Sequence, residues 1–78
     1  MNILGKNLKK LREERGLSQS ELAKKTGTSR QYISNLENGK VMSLNMLGRI
    51  VDALDVEPAI LFMTPKARKQ ILKTGVNK

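Results

Sequence analysis

Hydrophobic residues recur along this chain at intervals of three and four, the spacing that places side chains on one face of an α-helix. In the first segment Leu4, Leu8 and Leu11 follow this spacing, while charged residues occupy the other faces. We expect a first helix over about residues 5–15, ended by Gly16. Runs that alternate hydrophobic and polar residues, which predict β-strands, are absent from the sequence. The pattern therefore favours an all-α fold.

A second, short helix is predicted to begin at the sequence SQSE, which has the form of a capping box. In this motif the Ser18 hydroxyl accepts a hydrogen bond from the amide of Glu21, and the Glu21 carboxylate accepts one from the amide of Ser18. The helix is expected to end near Thr26, because Gly27 favours termination.

A third helix is predicted from Ser29 to Asn38, with Gly39 suited to the positive φ that follows a helix. Only Gly27 and Thr28 connect it to the second helix, so the two helices must cross steeply, as in a helix-turn-helix. Four small or apolar side chains are expected to hold this crossing: Leu22, Ala23, Ile33 and Leu36.

The rest of the chain predicts two more helices and a basic extension. Ser43 is expected to cap a fourth helix, and Pro58 to start a short fifth one that ends at Phe62. We expect residues 1–64 to form one domain; residues 65–78 then either form a short sixth helix to about Lys73 or a frayed end. The apolar positions of the fourth helix are all expected in the core: Leu44, Leu47, Ile50, Val51 and Leu54.

The third helix carries an unusual outer face. With Ile33 and Leu36 directed inward, its outward positions are all uncharged or basic and can all donate hydrogen bonds, as base edges in the major groove of DNA require. The alternative is a solvated polar face on a plain helical bundle. The outward positions are Arg30, Gln31, Ser34, Asn35 and Asn38.

Two runs of the sequence, LREERGLSQSELAKKTGTSRQYISNLENGK and SLNMLGRIVDALDVEPAILF, carry a family resemblance. They resemble the lambda-repressor, Cro and Xre family of bacterial and phage helix-turn-helix proteins, over roughly Leu4 to Phe62. The resemblance implies a compact five-helix, lambda-repressor-like domain that binds operator DNA as a dimer. The departures from the family pattern are Thr26, where an apolar residue is usual, and the loop residues Val41 and Met42.

The resemblance also implies roles for single residues. Gln19 matches a position that contacts the DNA backbone and the adjacent base region, and Tyr32 one that borders the backbone. Arg12 and Glu37 match an ion pair between the first and third helices, and Lys9 and Arg12 lie close enough to support the backbone contact. Arg30, Gln31 and Asn35 match base-reading positions, and Ser18, Ser29, Asn38 and Lys40 match phosphate-holding positions. With Ser34, the predicted DNA-binding set is Ser18, Gln19, Ser29, Arg30, Gln31, Tyr32, Ser34, Asn35, Asn38 and Lys40.

The composition agrees with a polyanion-binding protein. Fifteen Lys and Arg against seven Asp and Glu give a net charge of +8, which favours nucleic acid or an anionic membrane surface; the alternative is a generally solubilising surface. Residues 43–62 are the exception, with one basic and three acidic residues. Cysteine and histidine are absent, which excludes thiol chemistry, a zinc site and a hydrolase triad. We expect no enzyme activity and no cofactor.

No segment resembles a signal peptide, and no apolar run approaches the ~18 residues of a membrane span. We therefore expect a cytoplasmic protein without membrane association; the basic tail has too thin a hydrophobic face to anchor by itself.

The sequence thus predicts a transcriptional regulator, a repressor, that binds a palindromic operator in double-stranded DNA as a homodimer. One alternative is an antitoxin or another factor whose partner protein binds the C-terminal extension or the acidic residues Asp52, Asp55 and Glu57. Another is the controller of a restriction–modification operon. Five further apolar side chains could either fill the core or form the dimer surface, and the sequence does not distinguish the two: Met42, Met46, Ile60, Phe62 and Met63.

Overall fold

The computed structural model describes residues 3–64, and over this range it consists of five helices connected by short turns. The predicted all-α fold is confirmed. The predicted sixth helix and the boundary at residue 65 lie outside the described residues. The helices are α1 (Ile3–Glu14), α2 (Gln19–Thr26), α3 (Arg30–Glu37), α4 (Leu44–Leu54) and α5 (Pro58–Phe62).

Local capping chemistry fixes where the helices begin. Ser18, Ser29 and Ser43 are the N-caps of α2, α3 and α4, and each hydroxyl accepts a hydrogen bond from the backbone amide three residues later. These bonds satisfy amides that a helix cannot pair within its own first turn. All three caps confirm the prediction, whereas α1 begins at Ile3, two residues before the expected start.

Two of the helices, α2 and α4, end at residues with positive φ. Gly27 (φ 72°) ends α2, and the amide of Thr28 then donates to the carbonyl of Ala23 at 2.9 Å. The same type of ending follows α4, where Asp55 takes φ 55° and the amide of Val56 donates to the carbonyl of Val51 at 3.1 Å. Asp is tolerated in this conformation because its short polar side chain is among the few that adopt it readily.

One core prediction is wrong. Leu44, expected inside with the other apolar residues of α4, is 83% exposed. It is the first residue of the helix and shares a face with Leu47 and Val51, which are only half-buried, so no element among residues 3–64 covers its side chain. Met46 is buried instead and joins the core of Leu8, Leu11, Leu22, Ala23, Ile33, Leu36, Ile50, Leu54 and Leu61.

Polar side chains connect the first helix to the last two. The buried Asn7 amide donates to the carbonyls of Leu61 at 2.8 Å and Met63 at 2.6 Å. Arg15, which directly follows α1, donates through Nε to the carbonyl of Leu54 at 2.8 Å, at the end of α4. Because these carbonyls lie where helices end and lack intrahelical partners, α1 holds α4 and α5 in place by satisfying them.

Candidate DNA-binding surface

The α2–α3 unit is a helix-turn-helix whose crossing lies in the core. Leu22 and Ala23 of α2 and Ile33 and Leu36 of α3 are all buried, as the sequence predicts. Thr26, the departure from the family pattern, is also buried, and its hydroxyl donates to the carbonyl of Leu22 at 2.9 Å. The polar side chain is therefore tolerated because it pairs within its own helix.

A buried ion pair fixes α3 against α1. Arg12 Nε lies 2.6 Å from Glu37 Oε2, and Arg12 Nη2 lies 3.2 Å from Glu37 Oε1, which confirms the pair that the resemblance implies. The remaining nitrogen, Nη1, donates to the carbonyl of Leu17 at 2.7 Å. The hydrogen bonds to Glu37 raise the pKa of Arg12 above its ordinary value. Arg12 therefore has a structural role, and the expected backbone contact to DNA does not fit its buried position.

The outward positions of α3 lie together on the side opposite the core. At 100° per residue the five outward positions cover an arc of about 140°, with Arg30 at one edge and Asn35 at the other, whereas Ile33, Leu36 and Glu37 point into the protein. Arg30, Gln31 and Asn38 are exposed, and Ser34 and Asn35 are half-buried.

Two of the predicted base-reading side chains are bonded to each other. Gln31 Nε2 donates to Asn35 Oδ1 at 3.0 Å, across one turn of α3. This bond uses one N–H of Gln31 and one lone pair of Asn35, so each amide keeps a donor and an acceptor. These are the two groups that an adenine edge requires of an amide.

Gln19 has a role that sequence reasoning missed. Its Nε2 donates to Glu37 Oε1 at 2.9 Å, and its Oε1 accepts from Arg30 Nη1 at 3.2 Å. The side chain is half-buried and joins the ion pair to the exposed face of α3. Its position at the start of α2 was the only local signal, because the partners are eleven and eighteen residues away.

The remaining predicted residues lie at the edges of this face. Ser18 and Ser29 are exposed at the N-termini of α2 and α3, where helix amides and the helix dipole favour anions. The Ser18 amide donates to the Glu21 carboxylate at 2.7 Å, and this bond lowers the pKa of Glu21 below its ordinary value. Lys40 follows α3, with Nζ 5.7 Å from the centre of the half-buried Tyr32 ring, a cation–π arrangement.

Within residues 3–64, no group of acidic side chains is placed to hold a metal ion, and none of the helices could cross a lipid bilayer.

Comparisons with known proteins agree with this geometry. A helix-turn-helix family profile matches residues 8–61. The ImmF control region 10 kDa protein of Bacillus phage phi105 is 40% identical over 62 residues, which cover 78% of this chain and 69% of the phage protein.

Two solved structures share the fold. The restriction–modification controller protein C.AhdI from Aeromonas hydrophila superposes with a TM-score of 0.73 at 40% identity, over 76% of this chain and 91% of C.AhdI. SinR, the master regulator for biofilm formation, solved in complex with DNA, superposes with a TM-score of 0.72 at 34% identity, over 77% of this chain and 98% of the SinR chain. The chain belongs to the helix-turn-helix family of Cro, C1 and Xre type, whose members are DNA-binding transcriptional regulators.

Proposed function

We propose that this protein is a sequence-specific repressor that binds a palindromic operator as a homodimer in the cytoplasm, with α3 in the major groove. The observation that carries the proposal is the exposed, donor-rich face of α3, with Arg30, Gln31 and Asn35 free of acidic neighbours on that face. Its opposite side is held by the α2 crossing and by the Arg12–Glu37 pair, so the helix presents these side chains on a rigid support.

The hydrogen-bonding groups of the α3 side chains determine which bases they can recognise. An Arg guanidinium matches O6 and N7 of guanine, and the amides of Gln and Asn match N6 and N7 of adenine. We assign Arg30, Gln31 and Asn35 to base contacts, with Ser34 beside them. Each good two-point contact contributes about 1–3 kcal/mol of discrimination against a wrong base.

Phosphate contacts would hold the helix in the groove. Ser18 and Ser29 stand at helix N-termini, and Lys40 and Asn38 follow the last turn of α3. Tyr32, beneath the Lys40 ammonium group, would border the sugar–phosphate backbone. Such contacts carry no base information, but they supply affinity that falls steeply with salt.

A homodimer is proposed because the recognition helix of one copy contacts too few base pairs to specify an operator. The eight residues of α3 span about 12 Å at 1.5 Å per residue, enough for only a few base pairs. Two copies related by a two-fold axis would place their α3 helices ~34 Å apart on one side of the duplex, and the operator would share this symmetry.

The test is selection of bound duplexes from a random pool, combined with a molar-mass measurement of the complex. The proposal expects one enriched inverted repeat bound by two copies. Gln31→Ala and Asn35→Ala should each relax preference at one position per half-site. Enrichment of no sequence, or equal weakening by both variants on random and selected DNA, would contradict it.

A second candidate is control of a restriction–modification operon, favoured by the 40% identity with C.AhdI. It shares the same DNA-binding mechanism and differs in the genes controlled. If the selected repeat lies upstream of adjacent endonuclease and methyltransferase genes, this candidate is supported; if it lies elsewhere, the candidate fails while the DNA-binding proposal stands.

A further inference from the structure

The residue pair that ends α3 is Asn38 and Gly39, and both residues are exposed. Asn38 is the only asparagine of the chain that glycine follows; the others precede Ile, Leu, Met or Lys. We propose that Asn38 is a site of spontaneous deamidation, and that this modification weakens DNA binding by the end of α3. The modification itself is independent of the proposed function, whereas its effect on DNA binding rests on it.

The reaction joins the backbone of Gly39 to the side chain of Asn38. The Gly39 amide nitrogen attacks Cγ of Asn38, a C–N bond forms, and the Cγ–Nδ2 bond breaks, so that Nδ2 leaves as ammonia with the proton of the Gly39 amide. Water then opens the resulting succinimide ring. Addition to the former side-chain carbonyl leaves aspartate, whereas addition to the backbone carbonyl leaves isoaspartate, in which the main chain runs through the former side chain. The steps consume only water and require no oxidant or reductant.

The neighbours of each asparagine favour this reaction at Asn38. A side chain on the following residue crowds the approach of its amide nitrogen, and glycine has no Cβ. Asn7 is buried with its amide bonded to two carbonyls, and Asn35 is half-buried and bonded within α3. Asn45 is exposed like Asn38, but Met46 follows it in the first turn of α4. Asn45 is therefore the matched internal control.

The backbone after α3 is held by two hydrogen bonds that must open locally for the attack. The Gly39 amide donates to the carbonyl of Leu36 at 3.1 Å, and the Lys40 amide donates to the carbonyl of Asn35 at 3.0 Å. With ψ at 9° for Asn38, the next peptide has to rotate before its nitrogen reaches the side-chain carbon. Glycine permits this rotation, and helix ends open more readily than helix interiors. Opening of this turn therefore limits the rate in the folded protein.

Either product alters the part of α3 that is assigned to phosphate contacts. Aspartate adds a negative charge at the helix C-terminus, where the helix dipole disfavours anions, and this charge would repel a phosphate. Isoaspartate adds a methylene group to the main chain and displaces Lys40, whose Nζ lies 5.7 Å from the centre of the Tyr32 ring. Because phosphate contacts carry no base information, affinity should fall on selected and random duplexes alike. The binding activity of each molecule would thus decay with its age.

The first experiment tests the modification. The full chain is incubated at mildly alkaline pH, where the amide nitrogen loses its proton more readily, and the modified residues are located by peptide mass spectrometry. Asn38 should convert roughly tenfold or more faster than Asn45, because Gly39 carries no Cβ. Equal rates at the two asparagines would overturn the proposed modification.

The second experiment measures the Kd for the selected duplex during the same incubation. The Kd of wild type should rise in step with the modified fraction of Asn38. Asn38→Asp, which represents the product with a normal backbone, should bind about fivefold or more weakly than fresh wild type. Asn38→Gln is the control, because its longer side chain closes the corresponding ring much more slowly, and its Kd should stay at its own starting value.

The outcomes separate the modification, its effect and the proposed function. If Asn38 is modified while the Kd of wild type stays constant, the effect on binding is overturned and the proposed function stands. If the Kd of Asn38→Gln rises as fast as that of wild type, the loss has another origin and the effect is overturned as well. If wild type selects no sequence at all, the proposed function fails, and mass spectrometry still decides whether Asn38 is modified.

Discussion

Arg12 and Glu37, twenty-five residues apart, meet through two nitrogen–oxygen contacts of 2.6 and 3.2 Å between α1 and α3. Their side chains are only 9% and 3% exposed. Removing one partner of such a pair leaves an uncompensated buried charge, whereas replacing both with apolar groups is often tolerated. The pair therefore makes the position of the recognition helix dependent on α1.

We predict that Arg12→Met lowers the free energy of unfolding by about 3 kcal/mol or more, because Glu37 stays buried without its guanidinium partner. The double variant with Glu37→Met should recover at least half of this loss. The free energy of unfolding is measured by urea denaturation of the two single variants and the double variant. Lys9→Met, at an exposed position on the same helix, is the control. A double variant whose loss equals the sum of the singles would contradict the account.

Gly27 and Gly48 are predicted to respond to alanine with opposite signs. Gly27→Ala should destabilise the protein by about 1–2 kcal/mol, because φ is 72°. Steric crowding does not contribute, since the nearest atom to an added Cβ lies 3.7 Å away, an ordinary contact. Gly48 lies within α4 with nothing within 4 Å of an added Cβ, so Gly48→Ala should stabilise by about 0.5–1 kcal/mol. The measurement is the melting temperature of each variant relative to wild type in thermal unfolding. Equal shifts of the melting temperature in the two variants would refute the role of positive φ in the turn between α2 and α3.

The capping box of α2 predicts a pH dependence. The bond from the Ser18 amide lowers the pKa of Glu21, so its folded-state pKa lies below the unfolded value. The contribution to stability is therefore complete above the unfolded pKa and is lost as pH falls through the folded one. Glu21→Gln resembles the protonated side chain, so its melting temperature should lie below that of wild type at pH 7, and the two should converge as the pH falls through the folded-state pKa of Glu21. A constant gap from neutral to acid pH would be inconsistent with this mechanism.

Lys40 is predicted to contact a phosphate. Lys40→Ala should weaken binding to selected and random duplexes alike and reduce the slope of log Kd against log salt by about one. Lys10→Ala, which removes an exposed cation of α1 outside the predicted DNA-binding set, should leave the slope unchanged. The measurement is a salt titration of affinity with all three proteins; an unchanged slope for Lys40→Ala would refute the contact.

Much of the fold could be predicted because its signals are local. Ser18, Ser29 and Ser43 each cap a helix through an amide three residues away, and Gly27 ends α2 within the same few residues. Hydrophobic spacing gave the buried faces of α2 and α3 in the same way. These features depend on three to five neighbouring residues, which a sequence shows directly.

What the sequence did not reveal depends on distant partners. Leu44 fits the helical spacing, but no element within residues 3–64 covers its face of α4, so it is exposed. The position of Asn7 on the apolar face of α1 indicates that its side chain is buried. Its acceptors could not be predicted, because they are the carbonyls of Leu61 and Met63, more than fifty residues away. The bridge through Gln19 likewise required the packing of α1, α2 and α3 together.

The most direct test of the central claim, that α3 lies in the major groove, is DNA cleavage from a tethered reagent. The chain contains no cysteine, so Asn38→Cys and Glu57→Cys each provide a single attachment point for an iron–EDTA group. Asn38 is exposed at the end of α3, outside the base-reading trio, and Glu57 is exposed beyond the far end of α4. We predict that Asn38→Cys cuts the selected duplex at two places ~34 Å apart, while Glu57→Cys cuts it weakly or not at all. Equal cutting from both positions, or none from Asn38→Cys on bound DNA, would contradict the account.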